Sequence, residues 1–202
     1  MKKIGIFGGA FDPVTTAHTF MARKLIELKV VDEIWFMPSH SYPGSKKMSP
    51  YATRCVMIEL AVSKLPGIKL SMFESIWPEE ISTYHLVKRL KEEYPDDSFY
   101  FIIGGDQTDN ITNNWYKGRK VLKMIPFIII NRNEKIVQNF PNWCSKPPHQ
   151  FIEEIYTDHI SSTKVREAMH DEKLRNEFYE YLHPRVHKYI KHKNLYTKTI
   201  KQ

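Results

Sequence analysis

The chain has 202 residues, 42% of them hydrophobic and 26% charged, which suits one domain with a sizeable core and excludes wholesale disorder. No apolar run approaches the roughly 18 residues of a membrane helix, the longest being the strand-length stretch from Ile125 to Ile130. The formal net charge is +7, but Arg185, Lys188, Lys191, Lys193, Lys198 and Lys201 crowd the C-terminus, so the excess reads as a solvated basic tail ahead of a nucleic-acid surface.

In chain order, residues 3–8 are a strand candidate, too short and too soon broken by Gly8-Gly9 and Asp12-Pro13 to be a secretory leader. Residues 16–29 carry a helical stripe at Met21, Leu25 and Leu28. Glu33–Pro38 is the next strand, 50–65 a helix with Pro50 in a tolerated first-turn position, and 68–73 a strand. Thr83–Glu93 reads as a helix ended by Pro95, 99–103 as a strand, 114–124 as a short helix, and 127–131 and 151–156 as strands. Residues 133–150, with three prolines and no periodicity, read as a surface loop or insertion. From Ser162 to about 196 the pattern is helical, with Val186, Tyr189 and Ile190 as the last apolar stripe.

This alternation predicts an α/β fold over 1–202: a Rossmann-like, doubly wound parallel sheet with helices on both faces and a small C-terminal helical region. The strand candidates are nearly continuous apolar runs, as strands covered on both faces require. Ligands are then expected at the carboxyl ends of the strands. The two cysteines, Cys55 and Cys144, make neither a disulfide framework nor a zinc site, and suit a reducing cytoplasm.

Two segments point to phosphate chemistry. The first strand ends in Gly8-Gly9-Ala10-Phe11-Asp12-Pro13-Val14-Thr15-Thr16-Ala17-His18. Paired glycines let backbone approach a ligand, Thr15 and Thr16 are good N-cap residues, and His18 falls in the first turn, where it can point at an anion. Asp12-Pro13 reads either as a turn or as part of the site. The spacing matches neither GxGxxG nor the P-loop. Near the other end, Ile160-Ser161-Ser162-Thr163-Lys164-Val165-Arg166 places three hydroxyl residues before a helix and Arg166 one turn on, a residue suited to clasping phosphate oxygens.

Together these two segments resemble the signatures of the nucleotidyltransferase superfamily, Gly-x-Phe-Asp-Pro with (His/Thr)-x-Gly-His and Ile-Ser-Ser-Thr-x-x-Arg. Ala17 stands where the family usually has glycine. Thr15 stands where nicotinate mononucleotide enzymes usually have histidine, a threonine being usual in phosphopantetheine adenylyltransferases. The middle of the chain is similar to nicotinate and nicotinamide mononucleotide adenylyltransferases: Glu33 to Pro38, Arg54 with Met57 and Ala61, Ser82-Thr83-Tyr84, Phe101 to Gln107 with Trp115, and the end from Leu182 to Tyr196.

The resemblance implies transfer of the adenylyl group of ATP to nicotinate or nicotinamide mononucleotide, in NAD biosynthesis. Phosphopantetheine as acceptor, and a non-catalytic nucleotide- or nucleic-acid-binding protein, are the alternatives. It implies a triphosphate site at Gly8, Gly9, Ala10, Phe11, Thr15 and His18, with Ile160, Ser161, Ser162 and Arg166 on the β- and γ-phosphates. Gly104 and Asp106 meet the nucleotide at a strand end, the carboxylate suiting ribose hydroxyls. Thr83, Trp115 and Tyr116 take the acceptor's pyridine, and a shifted lysine, Lys46 or its neighbour Lys47, its phosphate. Trp115 could equally pack a helix onto the sheet. Mg²⁺ comes with ATP, without a dedicated protein cage. The sequence fixes no oligomeric state.

Overall fold

The computed structural model describes residues 1–40, 48–77, 82–131, 140–155 and 160–197. Six strands form one parallel sheet: β1 (Lys3–Gly9), β2 (Glu33–Pro38), β3 (Ile68–Leu70), β4 (Ser98–Gly104), β5 (Phe127–Ile130) and β6 (Gln150–Ile152), in the spatial order β3-β2-β1-β4-β5-β6. The helices are α1 (Thr16–Glu27), α2 (Tyr51–Val62), α3 (Thr83–Glu93), α4 (Thr108–Asn113), α5 (Gly118–Met124), α6 (Ser162–Ala168), α7 (Glu172–Tyr179) and α8 (Pro184–His192).

The central strands are buried on both sides because successive residues serve opposite faces. Phe7, Ile34, Phe36, Ile102, Ile128 and Ile130 meet Met21 and Leu25 of α1, Met57 and Ile58 of α2, Val165 of α6, and Val186 and Ile190 of α8. On the other face Ile4, Ile6, Phe99, Phe101, Phe127 and Ile129 meet Leu86, Val87 and Leu90 of α3, Ile111 of α4 and Val121 of α5. The chain therefore leaves β1 toward one face and β4 toward the other. These adjacent strands form the switch point where a doubly wound sheet opens a crevice at its carboxyl edge.

Three elements differ from their sequence expectation. The strand expected over 68–73 stops at Leu70, and a 3₁₀ turn, Phe73–Ile76, follows. The last strand is Gln150–Ile152 rather than 151–156. The helix expected over 114–124 begins only at Gly118, as α5; a turn in which Lys117 adopts a left-handed φ of 53° separates it from α4, a helix the sequence reading did not include. Close packing forces this break: a Cβ on Gly118 would lie 1.7 Å from the carbonyl oxygen of Ile111. Within the stretch read as a surface loop, the described part is not all surface. Cys144 is buried, and the Trp143 ring lies 5.8 Å from that of Phe127.

Gly118→Ala cannot relieve its clash by a rotamer change, because the obstacle is backbone. The expected destabilisation is about 3 kcal/mol, the upper end for overpacking, read as a lower urea midpoint at unchanged slope. A midpoint equal to wild type would contradict the packing described.

Candidate active site

The loop from β1 to α1 sits at the switch point. Gly8 has no room for a side chain, since a Cβ would come 2.9 Å from the Phe101 ring of neighbouring β4, and one on Gly9 would lie 3.3 Å from the Phe11 ring. Phe11 turns the chain with a left-handed φ of 48°, and the Asp12-Pro13 peptide bond is cis. Val14 and Thr15 are buried and complete the turn into α1.

His18 is held by its own helix start. The Thr15 backbone N–H donates to His18 Nδ1 at 3.0 Å, and Thr15 Oγ1 lies 2.7 Å from the same nitrogen. An Nδ1 that accepts from a backbone N–H leaves the ring hydrogen on Nε2, so the imidazole's other edge is a donor. Phe11 and Phe7 flank the ring, with centroids at 5.2 and 5.8 Å. Thr15 is 1% exposed, so its contact is with His18. The amide of Thr16 is answered within the protein: it donates to the Tyr181 carbonyl at 2.8 Å. Ala17 is half-buried in the same turn.

The second segment reaches this loop directly. Ser161 caps α6, its Oγ accepting from the Lys164 N–H at 3.2 Å, and half-buried Ile160 packs on the core beneath. Ser162 Oγ donates to the Pro13 carbonyl at 2.8 Å. Arg166 Nη1 donates to the Asp12 carbonyl at 2.6 Å, and its Nη2 to Thr163 Oγ1 at 3.2 Å. Residues some 150 positions apart in sequence thus share one loop and bring His18 and Arg166 to the same crevice.

Two further residues hold the loop. Arg54, 1% exposed, projects from α2 and donates to three carbonyls: Ser49 at 3.0 Å, Ala10 at 2.8 Å and Ser39 at 2.7 Å. It ties the ends of β1 and β2 to the start of α2. Asp12, 3% exposed, accepts the Ser49 N–H on Oδ2 at 3.0 Å and the Tyr196 hydroxyl on Oδ1 at 2.5 Å. Burial, and then the Asp12 carboxylate, push the Tyr196 hydroxyl well above its usual pKa, so it remains a donor.

Across the crevice, Gly104 closes β4 and Asp106 follows in a 3₁₀ turn, exposed, with Gln107 Nε2 donating to its carboxylate at 2.9 Å. Thr83 opens α3, half-buried, with Ser82 at the cap position. The Trp115 ring packs edge-on against Phe101 at 5.8 Å and lies 6.4 Å from Phe127, so it does fasten its turn to the sheet. Its neighbour Tyr116 is 53% exposed and meets Tyr84 and His85 at 6.1 and 5.6 Å. The Lys117 ammonium stands over both tyrosines, 4.4 Å from the Tyr84 ring and 4.7 Å from that of Tyr116. Lys46 and Lys47 lie outside the described residues. Among the described residues, no three His, Cys, Asp or Glu side chains converge to hold a metal ion, and no helix is long and apolar enough to cross a membrane.

The sequence reading gave Arg54 and Tyr196 no role in the site and left Asp12 open between a turn and the site. The one available signal was a charge at Arg54 on the otherwise apolar face of α2, shared with Cys55, Ile58 and Val62.

Comparison with known proteins agrees with this fold. A family model described as cytidylyltransferase-like matches residues 6–168. The nicotinate-nucleotide adenylyltransferase of Bacillus subtilis is 34% identical over 201 residues, covering 97% of this chain and 99% of that protein. A probable nicotinate-nucleotide adenylyltransferase of Bacteroides thetaiotaomicron is 34% identical over 192 residues, covering 94% and 91%. The solved nicotinic acid mononucleotide adenylyltransferase of Plasmodium falciparum superposes with a TM-score of 0.81 at 30% identity, over 97% of this chain and 98% of that one, in complexes with APC and with NaAD.

Replacing Arg54 by methionine keeps the stem and strips three half-buried carbonyls of their donor. Each orphaned buried group costs about 1–3 kcal/mol, so chemical denaturation of Arg54→Met should show a loss of about 3 kcal/mol or more. A loss below about 1 kcal/mol would mean the carbonyls find other donors.

Proposed function

This chain belongs to the cytidylyltransferase-like family, among its nicotinate-nucleotide adenylyltransferases, and we propose that it joins ATP to nicotinate mononucleotide, releasing pyrophosphate and forming the dinucleotide of NAD biosynthesis. The observation that carries the site assignment is the 2.6 Å bond from Arg166 to the Asp12 carbonyl, which unites the two phosphate signatures in one crevice.

The acceptor's phosphate oxygen attacks the α-phosphorus of ATP in line, the bond to the bridging oxygen breaks, and pyrophosphate departs with that oxygen. Both reactants are anions, so catalysis of this kind is alignment and charge stabilisation. His18 Nε2–H donates toward the bridging region, where negative charge grows as the bond breaks. Thr15 acts through His18, fixing its ring and tautomer. That role accounts for a threonine here without invoking a phosphopantetheine acceptor. Arg166, with Ser161, Ser162 and Ile160 at the start of α6, takes the β- and γ-phosphates. Gly8, Gly9, Ala10 and Phe11 shape the wall against the nucleotide, and Gly104 and Asp106 receive its ribose. Mg²⁺ would come bound to ATP, held by the phosphate oxygens and not by a protein cage, and would supply neutralisation of phosphate charge.

For the acceptor, exposed Tyr116 offers a stacking face, with Trp115 preceding it in the chain and Thr83 at the start of α3, whose Tyr84 meets the Tyr116 ring. The Lys117 ammonium favours a carboxylate on the pyridine over an amide; its side-chain bond with Tyr116 holds its pKa above the ordinary value. Lys46, or its neighbour Lys47, remains the proposed phosphate contact. The two cysteines, both buried and unpaired, suit a cytoplasmic setting.

His18→Ala should lower kcat by on the order of a hundredfold, as loss of one transition-state donor typically does, when pyrophosphate release is followed with ATP, Mg²⁺ and nicotinate mononucleotide. Near-normal turnover would remove His18 from the mechanism.

A further inference from the structure

We propose that Tyr196 is a positioning residue for polyphosphate binding, its hydroxyl keeping the Asp12 carboxylate away from Arg166. This rests on the reading of the crevice as an ATP site. Asp12 is the junction of three distant segments. Its carboxylate takes the Ser49 N–H on one oxygen and the Tyr196 hydroxyl on the other, while its main-chain carbonyl takes Arg166.

The distinction between carboxylate and carbonyl matters chemically. A guanidinium is drawn to a nearby carboxylate, and a bidentate pair would cancel its charge and occupy its donors. Here both carboxylate oxygens are already engaged by neutral donors, and Arg166 bonds to the neutral carbonyl instead. The guanidinium is bonded to a carbonyl and a hydroxyl and not to the carboxylate, and the N–H groups it does not use on Asp12 and Thr163 are left for phosphate oxygens.

The chain is bent to deliver this hydroxyl. After α8, Asn194 and Tyr196 both adopt left-handed backbone, with φ of 50° and 63°. Such conformations cost energy in residues other than glycine, and they persist where the surrounding structure determines them. The ring then lies beside Met57 of α2, whose Sδ is 3.9 Å from the hydroxyl.

Calorimetric titration of ATP with Mg²⁺ tests the proposal on the full chain without any acceptor. Tyr196→Phe keeps the ring and removes the hydroxyl. Its Kd for ATP should rise about tenfold or more, the scale of one lost hydrogen bond to a charged group. Because Tyr196 acts through Arg166, the double variant with Arg166→Lys should bind ATP no more weakly than Arg166→Lys alone. Met57→Ala loosens the packing around the ring but leaves the hydroxyl bond, so it should lower Tm and leave the Kd unchanged. A Tyr196→Phe Kd within about twofold of wild type, effects that add in the double variant, an equal rise in Met57→Ala, or a Tyr196→Phe chain that does not fold would each overturn the proposal. Wild-type protein that binds ATP yet transfers nothing to a mononucleotide would end the functional reading alone. Wild-type protein that fails to bind ATP would end both.

Discussion

The loop between β1 and α1 is built from backbone that cannot satisfy itself. It leaves the sheet before its carbonyls can pair, runs through a cis Asp12-Pro13 bond, and buries a carboxylate. Every one of those polar groups needs a donor, since an orphaned one in a low-dielectric setting is costly. The donors arrive from elsewhere: Arg54 from α2, Ser162 and Arg166 from α6, Tyr196 from beyond α8. The site therefore exists only when the whole chain is folded around it. The same bonds that settle the loop carry His18 and Arg166 to one crevice.

That arrangement suits a reaction between two anions. The fold places backbone, a histidine with its hydrogen on Nε2, and a guanidinium at the switch point of a parallel sheet, where α1 and α4 diverge to opposite faces. None of these groups needs to become a nucleophile. In the proposed reaction their work is to hold charge in place while one phosphorus–oxygen bond replaces another. The proposed acceptor side is made differently, from Tyr84 in the first turn of α3 and from Tyr116 and Lys117 in the turn between α4 and α5. Binding there is a matter of stacking and of the sign of one charge.

Local pattern made much of this legible. β2 and α3 have the bounds read from the sequence, because an apolar run and a 3.6-residue stripe each end at clear punctuation. Both phosphate segments were visible as motifs, and their meeting was implied by resemblance. What was not legible depended on distant contacts. The break at Trp115 to Lys117 comes from how closely Gly118 approaches Ile111, and β3 ends early at the sheet's edge, where only β2 pairs with it. The bond from Tyr196 to Asp12 spans nearly the whole chain and leaves no periodicity behind. Thr15 illustrates the same limit: its residue type pointed toward a different acceptor, whereas its hydroxyl is turned to His18.

The most direct measurement follows ATP labelled at its α-phosphorus, incubated with the protein, Mg²⁺ and one acceptor at a time. Label is expected in a dinucleotide when nicotinate mononucleotide is supplied, with a higher kcat/KM than for nicotinamide mononucleotide and none transferred to phosphopantetheine. Label that reaches neither pyridine nucleotide, or reaches phosphopantetheine alone, would contradict the account.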